Sequence, residues 1–239
     1  MRGVILDSDS FNRGDLDTAA LANALDHWTH HRSTMPDEVP KRLEGYEVVV
    51  TNKVVIDATA MESSALQLIV VAATGTNNID LAAAARRGIT VCNVRDYASA
   101  AVSQHVFSLV LALVTHLGDY TRAVGQGRWQ QSKVFCMLDY PIRELAGLTL
   151  GIIGYGNLGR RVAQIAQGFQ MQVLICARPG SEAVPDGRVS LDTLLETADV
   201  ISLHCPLSDT TRNLIGKAQL QRMKSDAILI NTARGGIVN

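Results

Sequence analysis

The sequence has few aromatic residues and no excess of charge of either sign. Aromatic residues make up 5% of the 239 positions, and 22 Lys and Arg against 23 Asp and Glu give a formal net charge of −1 at pH 7. Such a balance gives no indication of a protein that coats nucleic acid or binds an anionic membrane. Because 47% of the residues are hydrophobic, a disordered chain is also excluded. The abundance of Ala, Val, Ile and Leu favours an α/β protein whose parallel strands are buried between helices.

Clustered cysteines and long apolar runs are missing as well. Structural zinc sites and thioredoxin-type redox sites need closely spaced cysteines. The four cysteines here are far apart: Cys92, Cys136, Cys176 and Cys205. The longest apolar stretch, 106–114, is interrupted by Ser108 and is much shorter than the roughly 20 residues of a membrane helix. The N-terminus has an apolar run of only three residues, too short for a signal peptide. We therefore expect a cytoplasmic protein with reduced thiols and no membrane association.

Short apolar runs alternate with helical patterns along the chain, which is typical of βαβ units and parallel sheets. In the first part we predict a helix over 79–87 that Gly88 terminates, and mostly loop over 29–46 with room for one helical turn. The strands of the first part are predicted at 4–6, 48–50, 68–73 and 89–91. Those of the second part are predicted at 149–153, 172–176, 199–203 and 227–230, with helices between them.

A long helix is predicted to begin near Ser99, with Ser99 or an immediate neighbour as its N-cap. Apolar residues recur at helical spacing over 102–117. Since other faces of this helix are apolar too, we expect it to be buried between domains or subunits. The domain boundary is placed at its start, which gives domains 1–98 and 99–239. A polar, glycine-containing stretch over 118–134 follows the helix.

The strongest local motif is a GxGxxG sequence that follows a predicted strand and opens a predicted helix. Its first glycine would permit a tight turn, the second would let the backbone approach a pyrophosphate, and the third would let the helix pack closely on the strand. The phosphates would lie at the helix N-terminus, facing free N–H groups and the positive end of the helix dipole. We predict a dinucleotide-binding loop; a glycine-rich turn without a ligand is the alternative. The residues of the motif are Gly154, Tyr155, Gly156, Asn157, Leu158 and Gly159.

The end of the next predicted strand bears on the choice between NAD and NADP. Folds that prefer NAD usually place an acidic residue there, which binds the ribose 2′-OH. Here the position is taken by Ala177, and Arg178 follows. A guanidinium at this place suits a 2′-phosphate, through charge-assisted hydrogen bonds. We therefore favour NADP; an exposed arginine in a protein that prefers NAD is the alternative.

Two further segments, 204–207 and 231–236, each follow a later predicted strand. Ligands of open α/β sheets bind at the carboxyl ends of the strands, so both segments are expected to flank the cofactor. His204 by itself is more often a packed or surface histidine than a catalyst. Arg234 lies between a strand end and a Gly-Gly turn and is well placed to hold an anionic substrate.

Together these segments resemble the D-isomer-specific 2-hydroxyacid dehydrogenases, and most of all the branch of the glycerate dehydrogenases or hydroxypyruvate reductases. The resemblance extends over nearly the whole chain, at residues 73–80, 87–93, 127–129, 148–159, 204–207 and 231–236. It implies a flavodoxin-like substrate domain over 1–98 and a Rossmann dinucleotide-binding domain over 99–239. The implied partners are NADP or NAD, a small 2-oxoacid such as hydroxypyruvate or glyoxylate, and a second copy of the chain packed across the long helix.

The resemblance also implies roles for individual residues. The backbone N–H groups of the Thr74–Gly75 loop would hold the substrate carboxylate. Arg234 would bind the 2-oxoacid and polarise its carbonyl as a catalytic residue. The cofactor contacts beyond the glycine motif would come from Arg178, His204, Cys205, Pro206, Thr232 and Ala233.

The C-terminal part departs from the family pattern. The family's supporting glutamate and its proton-donating histidine lie beyond the turn at 235–236, and this sequence ends at Asn239. We therefore expect an incomplete dinucleotide domain whose last strand is a sheet edge. The substrate domain is expected to lack its return helix, which would leave the strands at 4–6 and 48–50 with less cover. We also expect no turnover by the 239-residue chain.

None of the six histidines carries over to the role of proton donor. His27, His30 and His31 form a cluster, but no carboxylate or cysteine stands at ligand spacing, so we predict no metal site there and interpret the segment as a polar surface loop. A nucleotide-binding or interaction protein that kept the scaffold and lost catalysis is the alternative to an enzyme.

Overall fold

In the computed structural model, which describes residues 1–62, 64–181 and 183–239, the chain divides into two units. Unit 1 is Met1–Tyr97 and unit 2 is Ala98–Asn239. This division falls one residue before the boundary expected from the sequence. Each unit has its own parallel sheet and its own buried apolar core.

The sheet of unit 1 has five parallel strands. They are β1 Arg2–Ile5, β2 His27–His30, β3 Val48–Thr51, β4 Leu68–Val71 and β5 Thr90–Asn93. Their spatial order is β2-β1-β3-β4-β5, which is the order of flavodoxin-like folds. The predicted class of this unit is confirmed, and so are its predicted strands, with ends that differ by a few residues.

Short helices connect these strands: α1 Ala19–Ala22, α2 Val39–Leu43, α3 Ala58–Glu62 and α4 Leu81–Arg86. Asp80 caps α4, because its carboxylate accepts a hydrogen bond from the Ala83 amide at 2.8 Å. Gly88 follows with a φ of +70°, the left-handed conformation that terminates helices. The predicted helix over 79–87 is therefore confirmed, with shorter ends. The helix α2 and a 3₁₀ turn at Pro36–Glu38 lie in the stretch predicted to be mostly loop.

The central strands of unit 1 are well covered. Side chains from 4–6 and 48–50 are at most 5% exposed. On one face, residues of α2, α3 and α4 pack against them. On the other, Trp28 and Leu25 lie so close to Gly3 that a Cβ there would be 2.5 Å from the indole ring. The strands that were expected to have less cover are therefore buried in this structure.

The histidine-rich segment is an edge strand and not the loop that we predicted. As β2 it pairs in parallel with β1, His27 opposite Arg2 and His30 opposite Ile5. Its mostly polar sequence has no period-2 signal, but the Trp28 ring packs under β1 and the Thr29 hydroxyl lies 2.6 Å from the Tyr46 hydroxyl. These tertiary contacts outweigh a weak local strand propensity.

The sheet of unit 2 has four parallel strands: β6 Thr149–Ile153, β7 Gln172–Ile175, β8 Val200–Leu203 and β9 Ile228–Asn231. The order is β7-β6-β8-β9. Beyond β7, Val189 forms an isolated parallel bridge with Cys176. From β6 the chain thus adds β7 on one side, and then crosses back to add β8 and β9 on the other side of β6. This is the doubly wound pattern of Rossmann folds. As predicted, β9 is a sheet edge.

Four helices precede or follow these strands in the parts that position the site: α5 Ser99–Val114, α6 Leu117–Gly125, α7 Arg128–Gln131 and α8 Asn157–Gly168. The helices α9 Leu191–Thr197 and α10 Lys217–Arg222 complete the connections between β7 and β9. All five residues of β6 are buried, because helices cover both faces of the sheet.

The long helix is shorter and less symmetric than predicted. It ends at Val114, because His116 has a left-handed φ of +49°, and Leu117 begins α6 with 58% of its surface exposed. Its N-cap is Ala98, without a side-chain hydrogen bond, so Ser99 is not the cap. One face, with Val106 and Val110, is buried in the core of unit 2. The stretch 118–134 contains α6 and α7.

The described residues contain no single helix that is long and apolar enough to cross a bilayer. The pair α5 and α6 meets the length and composition criteria only when taken together, and it is bent by 61° at the break.

Candidate functional site

The glycine motif forms the turn between β6 and α8. Gly154 has a φ of +97°, and a Cβ on it would lie 2.5 Å from the Cys205 amide nitrogen, so only glycine fits. A Cβ on Gly159 would collide with the carbonyl oxygen of Gly154, which explains how closely α8 approaches β6. Around Gly156, by contrast, there is open space, although its backbone is in an ordinary extended conformation.

Open space at Gly156 lies directly at the start of α8. Gly156 is the N-cap of this 12-residue helix and provides no side-chain acceptor for the amides of the first turn. Such amides and the positive end of the helix dipole favour an anion. The geometry therefore fits a pyrophosphate group, since of the three glycines of the motif the one without a packing neighbour is the one that a ligand would approach. Of the other motif residues, Tyr155 and Leu158 are half-buried against the core.

Two buried polar atoms follow the next strands without a partner in the described residues: His204 Nδ1 and Thr232 Oγ1. They follow β8 and β9, whose register pairs Leu203 with Asn231. The other ring nitrogen of His204, Nε2, lies 2.9 Å from the Ser202 hydroxyl. A buried polar atom left unpaired costs stability, so this pair of atoms at the carboxyl edge points to a polar ligand.

Burial lowers the pKa of His204 to about 4. The imidazole is therefore neutral at pH 7, with no positive charge to offer a substrate. Burial also raises the pKa of Cys176 to about 11, with the neighbouring Cys205 adding to the shift, and burial raises the pKa of Cys205. Both thiols stay protonated and pack in the apolar core of unit 2.

A cleft of about 550 Å³ lies between the glycine turn and the ends of β7 and β8. Of the residues predicted to contact a cofactor, five line it: Gly154, Tyr155, Arg178, Cys205 and Pro206. Arg178 is exposed, and Ala177 beside it is buried. Arg188 also lines the cleft and was missed by sequence reasoning, because no motif marks it.

The segment after β9 turns sharply around Asn231. Its side-chain amide donates to the Arg234 carbonyl at 2.9 Å, and its Oδ1 accepts from the Ala233 amide at 3.1 Å. Arg234 is exposed, and its guanidinium donates to the Ala233 carbonyl at 2.7 Å. The turn thus presents a cation two residues after Thr232, whose hydroxyl has no partner among the described residues.

In unit 1, Thr74 and Gly75 form the loop between β4 and α4. Thr74 is exposed, and its carbonyl accepts from the Asn93 side chain at 2.7 Å. Gly75 is half-buried. Because it follows β4, the loop stands at the carboxyl end of a parallel strand, where ligands of α/β sheets bind.

In the described part of the chain, no group of three or more His, Cys, Asp and Glu is arranged to hold a metal ion.

Comparison with known proteins agrees with a dinucleotide site at the glycine turn. Residues 107–239 match the family model described as D-isomer specific 2-hydroxyacid dehydrogenase, NAD binding domain. The chain is 45% identical to the glycerate dehydrogenase of Methylorubrum extorquens over 239 residues, which covers 99% of this chain and 73% of the relative. It is 35% identical to the hydroxypyruvate reductase of Blautia hydrogenotrophica, covering 100% of this chain and 76% of that protein.

Among solved structures, an acyclic imino acid reductase (Bsp5) in complex with NADPH and D-Arg superposes with a TM-score of 0.86 at 25% identity. All of this chain and 76% of that one are covered. The family match extends over more than half of the chain and coincides with the unit that carries the glycine turn. The chain therefore belongs to the D-isomer-specific 2-hydroxyacid dehydrogenases, an enzyme family with a NAD-binding domain.

Proposed function

We propose that the protein interconverts a small 2-oxoacid, hydroxypyruvate or glyoxylate, and its D-2-hydroxyacid with a nicotinamide dinucleotide. The observation that carries this proposal is the open space at Gly156, at the start of α8, within a family whose relatives include glycerate dehydrogenase and hydroxypyruvate reductase. When bound, the dinucleotide supplies or accepts the hydride.

The protein's own residues bind and orient the dinucleotide. The amides at the start of α8 hold the pyrophosphate, and Gly156 leaves room for it. The neutral ring of His204 and the hydroxyl of Thr232 offer buried atoms without a partner among the described residues, and polar groups of the ligand could pair with them. Pro206 and Cys205 form the wall of the cleft on the side of β8.

Two groups, one within each unit and described separately, are suited to an anionic substrate. In unit 2, Arg234 is the exposed cation that would bind the 2-oxoacid and polarise its carbonyl. In unit 1, the Thr74–Gly75 loop offers backbone N–H groups for a carboxylate. Both assignments rest on the match of these residues to the family motifs.

NADP is the proposed preference. Ala177 is apolar and buried at the position where NAD-binding folds carry a carboxylate, and the exposed guanidinium of Arg178 follows it. A carboxylate would repel a 2′-phosphate, whereas a guanidinium attracts it.

A homodimer in a reducing compartment is also proposed. Unit 2 exposes large apolar side chains that a partner would cover: Leu113, Leu117, Val134, Phe135 and Leu138 are between 52% and 96% exposed. All four cysteines are free thiols, as expected in the cytoplasm.

The proposal is tested by a matched pair of glycine substitutions, one at the N-cap of α8 and one at its last residue. Gly156→Ala and Gly168→Ala each add a methyl group where nothing lies within 4 Å, and neither glycine has a positive φ. Both variants should fold like wild type. We expect Gly156→Ala to weaken NADPH binding by about tenfold, because its methyl takes the space of the pyrophosphate, and Gly168→Ala to leave binding unchanged.

Fluorescence titration with NADPH and NADH measures binding, and the loss of absorbance at the reduced nicotinamide band measures turnover with hydroxypyruvate and glyoxylate. Equal affinity in the two variants would contradict the assignment of the glycine turn. Turnover of either 2-oxoacid by the wild-type 239-residue chain would contradict the expectation that this chain is inactive, and failure to bind either NADPH or NADH would contradict the proposed function.

A further inference from the structure

We propose that Arg188 is a second cationic contact for the 2′-phosphate of NADP(H), beside Arg178. The inference rests on the proposed dinucleotide site and names a specificity-determining residue that lies outside its sequence motifs. Arg178 lies three residues after the end of β7, whereas Arg188 comes ten residues later and returns to the same cleft.

Backbone pairing brings Arg188 to the end of β7. The Val189 amide donates to the Ile175 carbonyl at 2.9 Å, and the Ala177 amide donates to the Val189 carbonyl at 2.8 Å. This parallel bridge takes the place of a further strand beyond β7. The residue before Val189 is thereby fixed beside the strand end where Rossmann folds bind the adenosine ribose.

The guanidinium of Arg188 is held in place from two sides. Its Nη1 donates to the Cys176 carbonyl at 3.1 Å, and its Cζ lies 5.9 Å from the centre of the Tyr155 ring. Tyr155 is the second residue of the glycine motif, so Arg188 is anchored to the part of the loop that a dinucleotide would contact. One hydrogen bond leaves other N–H groups of the five-donor guanidinium for a ligand. Because the side chain is already ordered, less conformational entropy is lost on binding.

The charge of the cleft fits a phosphate and not a ribose hydroxyl. Among the described residues that line it are two guanidiniums and no carboxylate. Neither Arg178 nor Arg188 forms an ion pair within the described ranges. Hydroxyl groups complete the lining: Ser181, Ser208, Thr210 and Thr211. Two cations that face one cleft repel each other, and a dianionic 2′-phosphate would neutralise both.

A purely structural role is the competing explanation. The bond to the Cys176 carbonyl could simply hold the 177–188 loop against β7. The two roles differ in what they predict for ligands that share the adenosine and 5′-phosphate but differ at the 2′ position. Loss of a structural role would weaken the binding of both ligands alike, whereas loss of a phosphate contact would weaken only the ligand that carries the 2′-phosphate.

The experiment measures binding of 2′,5′-ADP and of 5′-AMP by calorimetry. Arg188→Gln removes the charge but keeps an N–H donor for the Cys176 carbonyl. The matched control is Arg161→Ala on α8, an exposed arginine that is not part of the cleft lining. We expect Arg188→Gln to weaken 2′,5′-ADP about tenfold, which corresponds to about 1.4 kcal/mol, and to leave 5′-AMP and the control unchanged.

The outcomes separate the inference from the proposed function. Equal weakening of both ligands, or no change in either, overturns the role of Arg188 while the dinucleotide site stands. A wild-type protein that binds neither ligand nor NADH overturns the proposed function itself. If Arg188→Gln unfolds at a lower temperature, Arg188→Lys decides: it keeps a charge and a donor, and affinities for 2′,5′-ADP and 5′-AMP close to those of wild type are the expected result. Weakening of both ligands by the same factor in Arg188→Lys would again mean a structural role only.

Discussion

The carboxyl edges of the two sheets differ in whether their buried polar groups have hydrogen-bond partners within the protein. In unit 1 the carboxylate of Asp7, which follows β1 and is 5% exposed, accepts from the Thr51 and Ser10 hydroxyls and from the Asn52 and Lys53 amides at 2.7–3.0 Å. In unit 2 the corresponding edge keeps polar atoms without partners, at His204 and Thr232, among the described residues. Unit 1 also has such an atom, Trp28 Nε1, but it lies within β2 and not at the carboxyl edge.

This difference teaches how to tell a structural polar group from one meant for a ligand. Both edges belong to parallel sheets of the same class, so the fold alone does not distinguish them. A carboxylate with four donors is already satisfied and contributes stability to the free protein. An unpaired buried atom costs stability until a ligand arrives, and natural proteins tolerate that cost at functional sites.

Removal of the Asp7 carboxylate should have the largest effect. Asp7→Ala leaves four donors without their acceptor, and we expect unit 1 to lose about 4 kcal/mol of unfolding free energy. Asp9→Ala is the control, because Asp9 is exposed and its ion pair with Arg32 is exposed too, so the change should be within about 0.5 kcal/mol. Urea titration read by hydrogen exchange of peptides from residues 2–7 measures both. A loss in Asp7→Ala no larger than in the control would remove the contrast between the two edges.

Acid should weaken the edge of unit 2 through His204. The unfolded imidazole has a pKa of about 6.5, whereas burial holds the folded pKa at about 4. Between these two pKa values the unfolded state binds a proton and the folded state does not. The contribution of the neutral His204 to the free energy of unfolding is therefore complete above pH 6.5 and is lost as the pH falls towards 4. The difference amounts to about 3 kcal/mol.

The comparison of His204→Gln with His105→Gln isolates this contribution, since His105 is exposed on α5. Urea unfolding of unit 2 is measured between pH 7.5 and 4.5 by hydrogen exchange of peptides from β8. The slope against pH should flatten in His204→Gln and persist in His105→Gln. The same slope in both variants would show that the ring is not kept neutral by burial.

The smallest effect is expected from a pair of threonines. Thr51 is fully buried and its hydroxyl donates to Asp7 and accepts from the Val54 amide at 3.1 Å, so Thr51→Val should cost about 1.5 kcal/mol. Thr232→Val removes a hydroxyl without a described partner and should leave the stability of the free protein within about 0.5 kcal/mol of wild type. Thermal denaturation measures both. A cost for Thr232→Val as large as for Thr51→Val would mean that its hydroxyl is already paired.

The elements that could be predicted from the sequence are those with strong local signals. The glycine motif lies between a continuous apolar strand and an amphipathic helix, and Gly154 has the positive φ that such a turn requires. The strands β3 and β6 are mostly apolar and are buried along their whole length. Asp80 and Gly88 mark both ends of α4 by their chemistry.

The elements that escaped prediction depend on contacts between distant residues. The strand β2 is held by the packing of the Trp28 ring against Gly3. The polar sequence around Trp28 gives no signal of this contact. The break after Val114 depends on a left-handed His116, whose ring stacks on Tyr140 with centroids 6.0 Å apart. Arg188 reaches the cleft only because Val189 pairs with the end of β7. Local propensity carries no information about any of these pairings.

The approach of Gly154 to the main chain of His204 and Cys205 has a mechanical consequence. A Cβ on Gly154 would lie within 2.8 Å of three backbone atoms there, so the turn after β6 and the end of β8 are in direct contact. Close-packed atoms have little free space between them and transmit displacement. We therefore expect a ligand that shifts the glycine turn to shift the end of β8 as well.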